Sequence, residues 1–284
     1  MFLLRLLSYL PFGALYFVSD ILSFLTFYIF RYRRKVVFQN LRNSFPEMSE
    51  KEIRKIAKRF YHNLADIIVE ILKEITITKE EIIKRVKYVN PEELNPYFKD
   101  EKSVIVVTIH QGNWEWLLLA AGVYHNKPAD VLYSPLSNRY FDKIMIRTRS
   151  RFGGFPIPVS NITREIVRRS KIPRMIVLLA DQTPTPNSDI YWSSFLNQET
   201  AFYKGPDVLA KFTKYPVFYA KITRIKRGYY QVKALKLGEP PYDDKTDILN
   251  KFIHESEKTI RENPSDWLWS HRRWKRKRHS DLSK

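Results

Sequence analysis

The stretch 103–121 constrains the fold more than any other part of the chain. A run of mostly β-branched residues over 103–109 is short enough for one buried strand, and it ends at His110. Apolar residues with helical spacing resume after Glu115. The sequence therefore predicts a strand over 103–109 and a helix over 113–125, with His110 in the loop between them.

His110 and Glu115 form a candidate acid–base pair. Because His110 lies in the loop, its ring can fold back and present Nδ1 to the Glu115 carboxylate, which leaves Nε2 as a base. Gly112 allows the backbone to come close to a substrate, and backbone N–H groups near Gly112 and Asn113 lie at a helix N-terminus that favours negative charge. A structural polar pair would show the same spacing, so the residues alone leave that alternative open. No metal site is predicted, since no other His, Cys or acid lies at ligand spacing.

Strand and helix patterns continue to alternate after this segment. Further strands are predicted over 130–134, 174–180, 216–225 and 229–237, further helices near 137–150, 161–170, 205–213 and 245–262, and a long polar loop over 182–200. This alternation predicts an α/β fold with a mixed central sheet flanked by helices. No linker-like stretch follows residue 36, so residues 36–284 are predicted to form one domain behind an N-terminal anchor, residues 1–35.

Residues 2–30 are predicted to attach the chain to a membrane. Between Pro11 and Phe30 only Asp20 is charged, and twenty helical residues span about 30 Å, the thickness of a hydrocarbon core. A cleaved signal peptide is the alternative, but no small-residue cleavage site closes the segment and a basic cluster, 31–35, follows at once. That cluster predicts a cytoplasmic location for the rest of the chain. Pro11 and Asp20 leave open whether the segment crosses the bilayer or lies in its plane.

The charge of the chain predicts an anionic partner. Lys and Arg number 49 against 30 Asp and Glu, which gives a net charge of +19. Such a balance suits nucleic acid, an acidic carrier protein or an anionic membrane surface. The absence of Cys excludes disulfides, zinc–thiolate sites and thiol catalysis.

The segment His110-Gln-Gly-Asn-Trp-Glu115 resembles the His-x4-Asp/Glu motif of glycerolipid acyltransferases. Within that group the chain most resembles the late acyltransferases of lipid A synthesis, the lauroyl and myristoyl transferases. Further matching stretches follow the order of that family: Asn-Leu…Phe-Pro-Glu over 40–47, Tyr-x-Pro…Arg-x-Arg over 133–151, an apolar strand ending in an acid over 175–182, Gly…Leu-Ala over 205–210, and Trp-x-His-Arg-Arg over 269–273. The resemblance covers nearly the whole chain.

This resemblance assigns roles that the residues alone leave open. The active-site Arg of the family falls on Arg149, where a guanidinium would steady an oxyanion or bind an acceptor phosphate, with Arg151 as a helper. Asp181 ends a predicted strand, and an Arg149–Asp181 ion pair is expected to orient the guanidinium. Without the resemblance, the Arg run would be a solvated face and Asp181 a cap of the next turn.

Two later segments are predicted to contact substrates or partners. Thr200 and Lys204 are expected to hydrogen-bond an acceptor head group, although Leu196-Asn197 replaces the usual Phe-Gly of the family nearby. Near the C-terminus, aromatic residues alternate with cations over 267–278, a pattern that suits an anionic interface or an acidic carrier.

The resemblance implies an acyltransferase of the inner membrane, with its catalytic domain on the cytoplasmic side. The expected donor is acyl carrier protein rather than acyl-CoA, the expected acceptor is a lipid A precursor, and neither a cofactor nor nucleic acid is expected. No Gly-x-Ser-x-Gly elbow or Cys nucleophile is present, so direct attack with His110 as general base is expected. Two alternatives remain: an acyltransferase for a lysophospholipid or aminolipid, and a membrane-tethered nucleic-acid-binding protein.

Overall fold

A seven-stranded mixed sheet with helices on both faces forms the core of the protein. The computed structural model describes residues 2–186, 188–243 and 246–278. Its strands follow the order β1-β9-β8-β2-β5-β3-β4, and a second sheet pairs β6 with β7. The predicted α/β class with a mixed sheet is therefore confirmed.

The elements have the following bounds. The helices are α1 (Phe2–Ser8), α2 (Phe12–Phe24), α3 (Arg34–Ser44), α4 (Glu50–Lys73), α5 (Lys79–Arg85), α6 (Asn95–Lys99), α7 (Trp114–His125), α8 (Arg139–Arg149), α9 (Ile162–Arg168), α10 (Gly205–Thr213) and α11 (Ile248–Glu262). The strands are β1 (Val86–Tyr88), β2 (Val104–Thr108), β3 (Ala129–Tyr133), β4 (Gly154–Pro158), β5 (Met175–Leu179), β6 (Ile190–Phe195), β7 (Gln198–Tyr203), β8 (Val217–Lys226) and β9 (Tyr229–Gly238). A π-helical turn, Leu25–Ile29, extends α2, and 3-10 turns cover Pro91–Glu93 and Val159–Asn161.

Five strands of the large sheet are parallel, which sets the position of the site. The pairs β8–β2, β2–β5, β5–β3 and β3–β4 run parallel, whereas β9 is antiparallel to β8. Carboxyl ends of parallel strands meet at one edge of a sheet, where α/β proteins place ligands. The loops after β2 and β5, which carry His110 and Asp181, therefore lie side by side.

Strand β2 is buried along its whole length. Ile105 and Val107 pack into the core on one face of the sheet, and Val104 and Val106 pack into the core on the other. Burial on both faces explains why this strand is a continuous apolar run rather than an alternating one. A strand held this tightly fixes the loop that follows it.

The structure corrects the prediction of a long loop over 182–200. Residues 190–203 form the antiparallel hairpin β6–β7, and its turn, Leu196-Asn197, has positive φ at both residues (50° and 60°). Two-residue hairpin turns require such backbone angles and usually contain Gly or Asn-Gly. Leu-Asn does not match this pattern, so the sequence did not predict the turn. The short strands β1 and β4 were also absent from the prediction, and β4 carries two Pro residues at the sheet edge.

Candidate active site

A cavity of about 820 Å³ opens at the carboxyl edge of the sheet. The side chains of His110, Glu115, Arg149 and Gln182 are among those that line it, with several Ser, Thr and Tyr residues, while α7, α9 and α10 supply mainly apolar walls. Its volume falls within the range of roughly 300–1,000 Å³ that small-molecule sites occupy. The cavity can therefore hold a long apolar group with one end at the polar cluster.

The imidazole of His110 is held by Asp181. Nδ1 of His110 lies 2.7 Å from Oδ1 of Asp181, and the backbone N–H of His110 donates to Oδ2 at 3.0 Å. The indole of Trp267 donates to Oδ2 as well, at 2.8 Å. Burial opposes charge on this carboxyl, but the charge and hydrogen bond of His110 outweigh it and lower the pKa of Asp181 to about 2. An ionised Asp181 keeps the proton of the neutral ring on Nδ1, which leaves Nε2 as the basic nitrogen.

The predicted partners of His110 and Arg149 are exchanged in the structure. Arg149 donates from Nε and Nη2 to the two carboxylate oxygens of Glu115, at 2.8 and 2.5 Å. Asp181 binds the imidazole instead, so both the predicted His110–Glu115 contact and the predicted Arg149–Asp181 pair are wrong. The reason is geometric: Asp181 follows β5, the neighbour of β2, whereas Glu115 lies in the first turn of α7 and faces the end of α8.

Glu115 orients the guanidinium of Arg149 and stabilises its positive charge. Burial alone would lower the pKa of Arg149, but the hydrogen bonds and charge of Glu115 raise it above its usual value. The buried Glu74 lies within electrostatic reach of both, and burial together with the charge of Glu115 raises its pKa well above normal. Glu115 makes both hydrogen bonds to the guanidinium and is therefore the direct counter-charge of Arg149, and Nη1 is the terminal nitrogen outside this pair.

Gln182 and Trp114 are site residues that the sequence did not single out. The side-chain amide of Gln182 lies 3.2 Å from Nε2 of His110, and the Trp114 ring packs edge-on against the imidazole with centroids 5.2 Å apart. The Gln182 amide thus occupies the place that an acceptor hydroxyl would take beside the base. Its position directly after Asp181 was the one signal that could have indicated it.

Gly112 and Asn113 shape the loop rather than line the cavity. Gly112 has φ of 55° and donates its N–H to the carbonyl of Asp266 at 3.0 Å. Asn113 is fully buried, caps α7 through the N–H of Trp116, and donates from Nδ2 to Glu70 at 2.7 Å. The Gly112 N–H is therefore already used, which removes it as the predicted oxyanion donor.

Arg151 ties two segments of backbone together. Its guanidinium donates to the carbonyl of Glu74 and, at 2.7 Å, to that of Ile77. Arg151 lies outside the cavity lining, unlike Arg149 two residues earlier. This geometry gives it a structural role next to the site.

Thr200 and Lys204 were predicted to contact the acceptor, but neither residue lines the cavity. Thr200 is buried in the hairpin, where its hydroxyl accepts the indole N–H of Trp274 at 2.8 Å and donates to the Gln198 carbonyl. Lys204 forms an ion pair with Asp189 at 3.0 Å, although Tyr203 and Gly205 on either side of it line the cavity. The Leu196-Asn197 turn also lies outside the lining.

The C-terminal aromatic residues are core rather than interface. Trp267, Trp269 and Trp274 are buried, and Arg273 is buried against Phe202 with its Nη2 donating to the Ala201 carbonyl. Desolvation lowers the pKa of Arg273 to about 9. The predicted docking role is therefore wrong for these aromatic residues, and Trp267 instead supports Asp181.

Comparisons with known proteins identify the family of the chain. The sequence model of bacterial lipid A biosynthesis acyltransferases matches residues 1–276. The lipid A biosynthesis lauroyltransferase of Escherichia coli (strain K12) is 23% identical over 280 residues, which cover 96% of this chain and 89% of that protein. The match thus includes the N-terminal helices, the cavity and the C-terminal segment that supports Asp181.

Proposed function

Because the chain belongs to the bacterial lipid A biosynthesis acyltransferase family, we propose that it moves a fatty acyl group from acyl carrier protein to a hydroxyl of a lipid A precursor. The observation that carries the proposal is His110, whose Nδ1 is fixed by Asp181 while its ring lines a largely apolar cavity. A base at the end of an apolar cavity suits attack on the thioester of a fatty acid. The donor, the base and the acceptor are the proposed parts, whereas acyl transfer follows from the family.

The reaction begins with proton transfer to His110. The acceptor hydroxyl displaces the Gln182 amide from Nε2 and gives its proton to the imidazole as its oxygen attacks the thioester carbonyl. The C–O bond forms and a tetrahedral oxyanion results. On collapse the C–S bond breaks, the imidazolium protonates the leaving thiolate, and the base is regenerated. Asp181 stabilises the imidazolium throughout, as the acid does in the Ser-His-Asp triad.

Arg149 is the group that stabilises negative charge. Glu115 holds Nε and Nη2, which fixes the plane of the guanidinium and leaves Nη1 outside this ion pair, in a residue that lines the cavity. A guanidinium preorganised in a partly buried site acts more strongly on developing charge than one in water. Arg149 thus polarises the thioester carbonyl or holds an acceptor phosphate near the hydroxyl.

The apolar part of the cavity holds the acyl chain. Leu118 of α7, Ile166 of α9 and Leu178 of β5 line it. Among the lining residues that these three elements supply, only Glu115, at the start of α7, is charged. Burying methylene groups there is favourable by about 0.8 kcal/mol each. The acyl group is thereby bound with its thioester at the polar end, beside His110.

The charge of the protein and its first helices support the proposed donor and location. Acyl carrier protein is acidic, which complements the net charge of +19. One helix within the described residues, Phe12–Ile29, is long and apolar enough to cross a membrane. We place the protein at the inner membrane, with the cavity on the cytoplasmic side.

The alternative of a lysophospholipid or aminolipid acceptor depends on Leu196-Asn197, which replace the usual Phe-Gly of the family. Those two residues lie in a hairpin turn, where Asn197 donates to the Ser44 carbonyl at 3.0 Å and Glu257 accepts the Leu196 N–H at 2.9 Å. The departure thus concerns packing between the hairpin, α3 and α11, and gives no reason to prefer another acceptor.

The direct test is an acyl-transfer assay with purified protein in detergent. Wild type is expected to transfer the acyl group from acyl carrier protein to a lipid A precursor, and His110→Ala is expected to lose transfer while keeping its thermal midpoint. His254→Ala, at an exposed position on α11, is the matched control and should keep full activity. Wild-type turnover by His110→Ala would overturn the mechanism, and transfer only to a lysophospholipid would overturn the acceptor.

A further inference from the structure

We infer that residues 3–32 do not cross the bilayer but lie in its plane, as an interfacial anchor that docks the catalytic domain onto an anionic lipid surface. This inference rests on the membrane location proposed above, whereas acyl transfer in detergent does not depend on it. The anchor consists of α1, α2, the π-helical turn and the residues that follow up to Tyr32.

The outward face of the anchor is apolar and exposed. Along α2 and the π-helical turn, Phe17, Ile21, Phe24 and Tyr28 recur every three or four residues, and their exposed fractions run from 38% to 68%. Exposed apolar residues at this spacing form one stripe on a helix. An apolar stripe of this length on a protein surface marks a contact with lipid or another partner.

The inward face of the same helix carries polar residues beside the buried Leu15 and Phe27. The Ser19 hydroxyl donates to the buried Asp66 at 2.6 Å, the Tyr16 hydroxyl donates to the buried Glu70 at 2.9 Å, and Asp20 pairs with Arg227 at 2.7 Å. A helix on a water-exposed surface turns polar residues outward. Here Ser19 and Tyr16 bond into the protein and the outward stripe is apolar, which fits an outward face in contact with lipid.

The contacts between the anchor and α4 show that the anchor runs along α4. Lys73 donates to the carbonyls of Ser8 and Leu10, both at 2.9 Å, near one end of α4. Near the middle of α4, Tyr61 packs against Phe27 with ring centroids 5.3 Å apart. The anchor thus follows α4 along about 20 residues of its own length.

A spanning anchor would carry these partners into the hydrocarbon. Asp66 also accepts from Arg224 and Arg227, on β8 and in the turn after it, so the end of β8 would follow α4 into the membrane. Charged side chains in the hydrocarbon core are costly even when paired. An in-plane anchor avoids this cost, because its polar groups remain bonded to the protein and only the apolar stripe enters the lipid.

Cations at both ends identify the anionic surface as the partner. Arg5 is exposed in α1, and Arg31, Arg33 and Lys35 are exposed just after the π-helical turn. Basic residues beside an inserted apolar face add electrostatic attraction to anionic head groups. The stripe and the cations together fit a bilayer surface.

The anchor is also connected to the catalytic loop. Glu70 accepts hydrogen bonds from Tyr16 of the anchor and, at 2.7 Å, from Asn113, which caps the helix after His110. Arg33 donates to the Ser270 carbonyl at 3.1 Å, close to the segment that carries Trp267. Docking the anchor in plane therefore sets the catalytic loop at the height of the lipid surface.

The absence of native Cys allows a clean topology test. Arg5→Cys and Lys35→Cys place one thiol at each end of the anchor, and His254→Cys on α11 serves as the cytoplasmic control. A membrane-impermeant maleimide is added to intact spheroplasts and to inverted membrane vesicles. The in-plane anchor predicts that all three thiols react only in inverted vesicles, whereas labelling of Arg5→Cys from the outside of spheroplasts would overturn the inference.

A second measurement uses α4, which packs along the anchor and which the in-plane arrangement places next to the lipid. Ile68 of α4 is 47% exposed and lines a surface groove with Leu22 and Thr26 of the anchor. A fluorophore on Ile68→Cys should be quenched by brominated acyl chains in phosphatidylethanolamine–phosphatidylglycerol vesicles, and one on His254→Cys should not. Equal lack of quenching at both positions would contradict the in-plane arrangement.

The apolar stripe itself is tested by Phe24→Asp. This variant should weaken binding to the same vesicles by roughly tenfold or more, because a large exposed apolar side chain no longer enters the lipid. Val89→Asp, which changes an apolar residue 42% exposed outside the anchor, should bind as wild type does. Equal binding by the two variants would refute the role of the stripe, and an unaltered activity in detergent would show that the proposed function survives that result.

Discussion

Replacing Asp181 by Asn tests which acid supports His110. The carboxylate accepts from Nδ1 and the backbone N–H of His110 and from the Trp267 indole. An Asn side chain has the same size but one acceptor oxygen, and its NH2 group can only donate. If that NH2 faces Nδ1, the ring proton moves to Nε2, which then cannot accept a proton from the acceptor hydroxyl.

The structure sets the size of the expected effect. A pKa of about 2 in place of 3.8 for Asp181 corresponds to about 2 kcal/mol in favour of the charged form. The equivalent change in a Ser-His-Asp hydrolase lowers kcat by about 10⁴-fold with the geometry intact. We therefore expect Asp181→Asn to lower kcat by roughly 10³- to 10⁴-fold, to lower the free energy of unfolding by about 2 kcal/mol, and to leave KM nearly unchanged.

Steady-state acyl transfer and urea unfolding measure these two effects. Because the folded-state pKa of Asp181 is lowered, its stabilising contribution is complete above pH 3.8 and is lost as pH falls through about 2. The stability difference between wild type and Asp181→Asn should therefore be constant near neutral pH and shrink in strong acid. Near wild-type turnover by Asp181→Asn, together with inactivity of Glu115→Gln, would refute the assignment of Asp181 to His110.

Three further substitutions test other parts of the site. Arg149→Lys cannot make two parallel hydrogen bonds to Glu115 and should lower kcat by roughly 100-fold, whereas Arg147→Lys, exposed on the same helix, should match wild type in the same assay. Thr200→Ala leaves a buried indole N–H without its acceptor and should cost about 1–2 kcal/mol in urea unfolding, while an increase in KM would instead favour head-group binding. Gly112→Ala forces a side chain to φ of 55° and should cost about 1 kcal/mol, so an unchanged unfolding midpoint would contradict the strain.

The sequence predicted the elements around His110 because its signals there are strong. Strand β2 and helix α7 lie within one residue of their predicted bounds, since a buried apolar run and an Asn cap are both local features. The same holds for β5, whose end carries Asp181. The residues that follow the ends of β2 and β5 could therefore be predicted from the sequence alone.

The sequence did not predict which acid contacts His110 and which contacts Arg149. The five-residue separation of His110 and Glu115 suggested a contact, but the order of strands in the sheet brings Asp181 closer, and that order depends on long-range packing. Similarly, Trp267 belongs to a segment of alternating cations and aromatic residues that predicted an interface. Its indole instead donates a hydrogen bond to Asp181, which lies 86 residues earlier in the chain. Local patterns identify the residues of a site, whereas sheet topology decides which of them touch.

The measurement that tests the central claim most directly is mass spectrometry of lipid A from source cells that lack the gene. We expect lipid A to lose one acyl chain, and we expect the wild-type gene, but not His110→Ala, to restore it. The mass lost would identify the chain that is transferred. Unchanged lipid A with an accumulating lysolipid would contradict the acceptor proposed here, and full restoration by His110→Ala would contradict the mechanism.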